Sequence, residues 1–348
     1  MIGYYVHHQG AGHLARALAI AQGEPTRFTL LGTGLEGRTG AVSAVDIPDD
    51  RPIGRDAFDG FDGTIDRPEA LHYAPFGHDG VRSRVAAITD WIATHRPALL
   101  VVDVSVEVAM LARLAATPTV YVRLSGRRTD PAHLDAFRGA RALLATFHAD
   151  LDDPATPDWV RAKTWYAPGL IEPAPARAIE PSTVVVIFGA GGGQADGEGV
   201  VAAARRTPDL TWRVLGPMTP VSNPPSNLVA LGWVEDVIPE IASAGVVVGS
   251  AGDGVVAAVL AADRPFVCLP QTRAFDEQAS KAKALAGAGA AIALDRWPKA
   301  EAWPGLLAQA RALSPSARRH LIQGADASEI RDRLLHLAAC ADRPGDPP

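Results

Sequence analysis

Residues 2–21 read IGYYVHHQGAGHLARALAIA. The apolar run Ile2–His7 ends in two histidines and a turn carrying Gly10 and Gly12. Behind it, Gly12–Ala21 places its apolar residues at helical spacing. The two glycines allow a tight turn and close backbone approach, so the unit reads as strand, glycine loop and helix. The same grammar recurs along the first half. Strands are expected at Phe28–Leu31, Ala44–Ile47, Leu99–Asp103, Thr119–Val122 and Leu143–Phe147, with helices at Val81–Thr94 and Val106–Ala115. Continuously apolar strands such as Leu99–Val102 suit a parallel sheet covered on both faces. Strand and helix in alternation imply a doubly wound α/β architecture.

The stretch Ala167–Ser182 carries Pro168, Pro173, Pro175 and Pro181 and no periodicity, as a linker does. Beyond it the pattern restarts, with strands at Thr183–Phe188, Thr211–Leu215, Leu228–Leu231, Gly245–Val248, Phe266–Leu269 and Ala291–Leu294. Helices fit Gly197–Arg206, Val237–Ala244, Gly254–Ala262, Asp276–Ala286, Ala300–Leu313 and Ala327–Cys340, and 342–348 reads as a frayed tail. The expected organisation is a first domain over 1–166, a linker over 167–182, a second domain over 183–325, and a C-terminal helix and tail over 326–348. Two such α/β domains, each doubly wound, should face a central cleft at their carboxyl strand ends, where open sheets bind ligands.

Composition narrows the function classes. With 47% hydrophobic and 21% charged residues in 348, the chain is neither disordered nor a disulfide scaffold, since its cysteines are only Cys268 and Cys340. Two thiols and no secretory signal point to a reducing, cytoplasmic compartment. No apolar run is long enough to span a membrane. A net charge of −6 argues against nucleic acid as a partner.

Four strand-to-helix loops carry the chemistry. In the first, His13 falls in the opening turn of the helix, where a neutral imidazole can take a proton from a hydroxyl, and Gly12 offers its backbone to an anion. His13 stands where the dinucleotide fingerprint continues towards its third glycine, so a bound nicotinamide cofactor is not expected. His7 and His8 read as packing residues. The second loop, 188–194, has four glycines in five residues, and Gly191, Gly192 and Gly193 form a nest able to cradle a diphosphate. It lacks the Gly-Lys-Ser/Thr ending of a P-loop. In the third, Ser250 can cap a helix while Gly252, Asp253 and Gly254 present backbone donors to a phosphate. In the fourth, Asp276, Glu277 and Gln278 are adjacent groups able to hold vicinal hydroxyls, although Asp276 and Glu277 also suit a helix start. No Asp-x-Asp pair stands at a strand end. Asp150-Leu-Asp152 has the spelling but reads as surface, so no metal is expected.

Together these loops resemble the GT-B glycosyltransferases, and within them the group of the bacterial undecaprenyl-pyrophosphoryl-muramoyl-pentapeptide N-acetylglucosaminyltransferase. The resemblance lies in Gly10-Ala-Gly12-His13 and in the stretch Asn227–Leu294: Leu231-Gly232-Trp233-Val234, then Ser250-Ala-Gly252, then Pro265, Pro270, Glu277-Gln278, Ala282 and Gly289-Ala-Ala291. It implies two Rossmann-like domains and inverting, metal-independent transfer from a nucleotide-diphosphate sugar, a UDP-sugar above all, to a hydroxyl. The nucleotide sugar would be a co-substrate, with no further cofactor. His13 would be the base. Trp233 and Val234 would meet the nucleotide base, Ser250, Gly252 and Asp253 the diphosphate, and Glu277 and Gln278 the sugar. The family's ribose-binding glutamate aligns with Ala258, and its asparagine after the glutamine aligns with Lys281.

The acceptor, a small molecule or a lipid-linked one, would be chosen by the loops Pro48–His78 and Ser125–His133. The first holds Phe58, Phe61, Tyr73 and Phe76. Arg123, Arg127 and Arg128 can meet an acidic acceptor or, peripherally, an anionic membrane surface. Two alternatives share the fold. In a nucleotide-sugar hydrolase, resembled at Gly10-Ala-Gly12-His13-Leu-Ala-Arg16, His13 would activate water. A non-catalytic nucleotide-sugar-binding accessory protein would account for Ala258.

Overall fold

The structure, a computed structural model, describes residues 1–8, 11–51, 66–168, 170, 177–188 and 194–340. Two compact units divide the chain. The first comprises Met1–Thr146, Pro154–Leu170 and Gly324–Pro348, and the second Phe147–Asp153 and Ile171–Gln323.

In the first unit the order is β1 (Ile2–Tyr5), α1 (Ala11–Ala21), β2 (Phe28–Gly32), β3 (Ser43–Asp46), α2 (Asp79–His95), β4 (Leu99–Asp103), α3 (Val106–Leu114), β5 (Thr119–Arg123), α4 (Pro131–Gly139), β6 (Ala142–Ala145), α5 (Asp158–Ala162) and β7 (Thr164–Tyr166). The strands form one parallel sheet in the order β3-β2-β1-β4-β5-β6-β7. Alternate residues of β1 feed opposite cores, as the period of two in a strand requires. Ile2 and Tyr4 pack with Ala17 and Ile20 of α1, whereas Tyr5 packs with Ile88 and Trp91 of α2. Gly3 faces the same side as Tyr5, and a Cβ there would sit 2.8 Å from the Trp91 ring and 2.7 Å from Leu100.

The second unit runs β8 (Glu180–Ile187), α6 (Gly197–Arg206), β9 (Thr211–Leu215), β10 (Leu228–Gly232), α7 (Ile238–Ser243), β11 (Ala244–Gly249), α8 (Asp253–Ala261), β12 (Phe266–Cys268), α9 (Glu277–Gly287), β13 (Ile292–Ala293), α10 (Trp303–Ala312) and α11 (Pro315–Leu321), preceded by a 3₁₀ turn at Ala149–Leu151. Its sheet is also parallel, ordered β10-β9-β8-β11-β12-β13. Trp212 and Trp303 are fully buried against each other, edge to face, with ring centroids 5.2 Å apart. The last helix, α12 (Ala327–Cys340), belongs to the first unit, where Ile330 and Leu334 join the core of α1.

The doubly wound α/β class expected from the sequence is therefore what the chain adopts. Four elements escaped the periodicity. α4 starts behind Asp130, whose side chain accepts from the His133 N–H, with Pro131 as first residue. β7 and α5 are too short to show a period. α11 opens on Ser314-Pro315, and Pro304 splits Ala300–Leu313 into a 3₁₀ turn and α10. The tail 342–348 and residues 169 and 171–176 of the proline-rich stretch lie outside the described residues.

Both sheets reverse their strand order beside the first strand, between β1 and β4 and between β8 and β11, and crevices open at such switch points. Packing on the first is tight: Gly3→Ala should cost about 1–3 kcal/mol through overpacking against Trp91, read as a lower urea midpoint with an unchanged slope.

Candidate active site

At the first switch point the carboxyl end of β4 delivers Asp103, which is fully buried. Arg16 of α1 grips it bidentately, Nε to Oδ2 at 3.1 Å and Nη2 to Oδ1 at 2.9 Å. His13, one turn earlier on α1, places Nδ1 3.0 Å from Asp103 Oδ1 and 3.0 Å from Arg16 Nη2. The guanidinium can only donate, and its Nη1 also reaches Thr146 Oγ1 at 3.4 Å. His13 Nδ1 thus stands between an acceptor-only carboxylate and a donor-only guanidinium, and the tautomer that donates Nδ1–H to Asp103 is the one that leaves Nε2 as an acceptor. Tyr4 adds a longer hydrogen bond to Oδ2 at 3.4 Å. Burial pushes the Asp103 carboxyl up, but the charges and hydrogen bonds of Arg16 and His13 outweigh it and hold it well below the usual carboxylate range.

His7 and His8 stack at 4.7 Å, and His7 lies 5.4 Å from the His13 ring. Burial first, then neighbouring imidazoles, drive His7 well below the ordinary histidine value, so it stays neutral. His8 is lowered by burial and partly restored by Asp50, which lies 3.6 Å away and pairs with buried Arg84 at 3.0 Å.

The two loops assigned to the acceptor meet in a hydrogen-bonded cluster. His72 Nε2 lies 2.7 Å from Asp130 Oδ1 and His133 Nδ1 2.6 Å from Oδ2, while Arg128 donates to His133 Nε2 at 3.0 Å. Glu107 Oε1 accepts from the backbone of His72 and Tyr73. Phe76 is 79% exposed, whereas Phe58 and Phe61 lie outside the described residues. The three arginines are not one surface. Arg123 is buried and donates to Thr164 and Tyr166, Arg128 bonds His133, and only Arg127 is exposed. His78 caps α2 through Nδ1.

In the second unit Gly252, not Ser250, occupies the N-cap of α8, without a side-chain cap. Ser250 is buried beneath it, and a Cβ on Gly252 would meet only Ser250 Oγ and Gln278 Nε2, each at 3.7 Å. Neither of those two polar atoms has a hydrogen-bond partner among the described residues. A Cβ on Gly12 or Gly254 would meet nothing within 4 Å. The amide oxygen of buried Gln278 accepts from Ala251 N at 3.1 Å and Gln271 N at 2.9 Å, tying the third loop to the fourth. Asp276 is exposed in the left-handed region at φ 51°, next to Phe275 at φ 59°, and its side chain caps nothing. Glu277 is half-buried in the first turn of α9. Asp253 is ion-paired with buried Lys281. Cys268, close by, is pushed up to about 12 by burial despite the lysine, so it is an inert thiol. Trp233 is 69% exposed at the end of β10, with Val234 half-buried beside it. Gly191, Gly192 and Gly193 lie outside the described residues, as does Gly10.

Solved structures with this architecture cover almost the whole chain. Spinosyn forosaminyltransferase SpnP superposes with a TM-score of 0.71 at 16% identity, over 97% of this chain and 99% of its own. The chain has the GT-B fold. Spinosyn rhamnosyltransferase SpnG, complexed with thymidine diphosphate, gives 0.65 at 17% over 98% and 99%, and Acinetobacter baumannii MurG gives 0.62 at 15% over 97% and 98%. MurG is one neighbour among several, and its group is not singled out. No protein-family model and no curated protein matches the chain.

Asp103 escaped the sequence reading because its partners lie 87 and 90 residues away; its place at a carboxyl strand end was the available signal. Being depressed in the folded state, its contribution to stability is complete above the unfolded value of about 3.9 and is lost as pH falls from there. Urea midpoints between pH 6 and 2 should drop on the acid side, and Asp103→Asn should flatten that drop. Gln278→Ala should lower the melting temperature by leaving two backbone N–H groups unpaired, at about 1–3 kcal/mol each.

Proposed function

We propose that this chain is a glycosyltransferase that moves a sugar from a nucleoside-diphosphate sugar to a hydroxyl acceptor, with inversion and without a metal. The observation that carries the reading is the His13–Asp103 contact at the switch point of the first sheet. Nδ1–H on the buried carboxylate frees Nε2 to take the acceptor proton. The carboxylate also stabilises the imidazolium that forms, without itself being protonated. The alkoxide then attacks the anomeric carbon, the bond to the diphosphate oxygen breaks, and the nucleoside diphosphate leaves. Open backbone at Gly252 and Gly254, the N-terminus of α8 and Ser250 Oγ are suited to the departing anion. Gln278 has spent its oxygen on the backbone, so its Nε2 is what remains for a sugar hydroxyl, beside Glu277 and Asp276. Trp233 offers an indole face for a nucleotide base, with Val234 backbone at its edge. Gly12, Asp253 and the glycines 191–193 keep their assignment to the diphosphate.

The resemblance favours UDP, and SpnG is a neighbour solved with thymidine diphosphate, so a thermal-shift series with both diphosphates and their sugars identifies the donor. Ala258, buried in α8, supplies no carboxylate there, which favours the binding-protein reading; no nucleoside diphosphate release under any condition would support it. Release without acceptor would support the hydrolase.

His13→Ala should lower turnover by roughly 10²–10⁴-fold, the usual worth of positioned proton transfer, with the melting temperature retained. The wild-type rate should fall on the acid side, because only neutral imidazole accepts a proton, and that limb should vanish in the variant. Assays run in EDTA include the metal question. Near-normal turnover of His13→Ala removes the base, and activity restored only by Mg²⁺ removes metal independence.

A further inference from the structure

Asp150 does not pair with Asp152. Asp152 is buried, its Oδ1 accepting from the Asp153 backbone, so the Asp-x-Asp spelling is only half surface. Asp150 is 57% exposed and turns instead to two histidines of the second unit. His320 on α11 places Nε2 2.9 Å from Asp150 Oδ2, and His148, which caps the 3₁₀ turn, places Nδ1 3.6 Å from the same oxygen. The two imidazole rings stand 4.5 Å apart at 60°. We infer that His148, Asp150 and His320 form a surface site for a divalent transition-metal ion of the zinc type, which staples the Ala149–Leu151 turn to α11.

Ligand chemistry and geometry agree. Two imidazoles and one carboxylate suit zinc and its neighbours, not Mg²⁺ or Ca²⁺, which want oxygen. Bonds of about 2.0–2.2 Å in a tetrahedron set ligand atoms about 3.3–3.5 Å apart. The 3.6 Å separation fits already, and the 2.9 Å one opens by rotation of two exposed side chains. His148 Nδ1 now takes only a 3.2 Å bond from the Asp150 N–H. The proton between His320 Nε2 and Asp150 moves to Nδ1 when the ion takes its place. Arg318 and Arg319 of the same helix are tied to Asp263, at 2.9 and 2.8 Å, and do not oppose a cation.

The buried cluster His72–Asp130–His133 offers the same three ligand types and fails the same tests. Its separations of 2.7 and 2.6 Å are hydrogen bonds, and Arg128 donates to the far nitrogen of His133, which must therefore keep its proton on Nδ1. Burial and Arg128 hold His133 down at about 3, against the pull of Asp130.

Zn²⁺ titrated into the full chain by calorimetry tests the site, with Co²⁺ absorption reporting the ligands. The wild type should bind one ion and melt several degrees higher with it. His148→Ala and His320→Ala should each weaken binding by at least about tenfold and abolish the melting shift, read against each variant's own metal-free melting temperature. Cys340→Ser should bind as the wild type does, although Cys340 Sγ lies 3.8 Å from His336 Nε2. Binding lost in Cys340→Ser, lost in His72→Ala, or unchanged in both His148→Ala and His320→Ala overturns the proposal. Sugar transfer plays no part in these readouts.

Discussion

Asp103 carries its charge with no exposure to solvent. An ionised carboxylate persists in such a place only when its oxygens are fully answered, since removing one partner of a buried pair costs several kcal/mol. Arg16 and His13 supply that answer from successive turns of α1. The requirement therefore reaches beyond the pair. It fixes the rotation of α1 about its axis, the approach of its N-terminus to the end of β4, and the placement of the imidazole. An exposed bridge of the same composition, such as Arg82–Asp79, is worth at most about 1 kcal/mol and constrains nothing comparable. The proposed base is thus oriented by a demand of stability, and the geometry suited to proton transfer is maintained without substrate.

The second unit is organised on a different principle. Its loops at the carboxyl strand ends are joined by a neutral amide, Gln278, whose oxygen bridges two backbone donors. A neutral clamp joins these loops without adding a charge to them. Strain is present where the clamp ends: Phe275 and Asp276 both hold positive φ, an arrangement costing of order 1–3 kcal/mol per residue and met mostly where surrounding structure over-determines it. That strain turns the chain abruptly into α9, putting Asp276 outward and Gln278 inward in the space of three residues.

Periodicity made both sheets legible, because apolar runs of four or five residues alternate with helical stretches and glycine turns. The glycine-bearing loops pointed to the carboxyl strand ends for the same reason. What escaped were properties set by partners distant in the chain. Asp103 looked like the last residue of a strand until β1 and β4 were neighbours. Arg123 looked like part of a basic surface, yet its guanidinium turns inward to Thr164 and Tyr166, residues of a strand too short to foresee. Gln278 is assigned to a sugar through its polar side chain and the resemblance, and nothing in a local window shows that two backbone N–H groups also take its oxygen. Ser250 was read as a cap, but the helix begins two residues later and its cap is glycine.

Lys281 shows how a departure from the resembled pattern is made tolerable. A fully buried ammonium requires an anion, and Asp253, in the first turn of α8, is that anion. An unpaired acid at this place would favour its own helix terminus and repel any other anion approaching the same N–H groups. Paired with the lysine, it brings no net charge to the terminus, and the backbone donors around Gly252 remain available to a ligand of either two or three negative charges. Lysine at 281 and aspartate at 253 therefore act as one pair. Altering either alone strands a charge between α8 and α9, at the very point where the clamp of Gln278 holds the loops together.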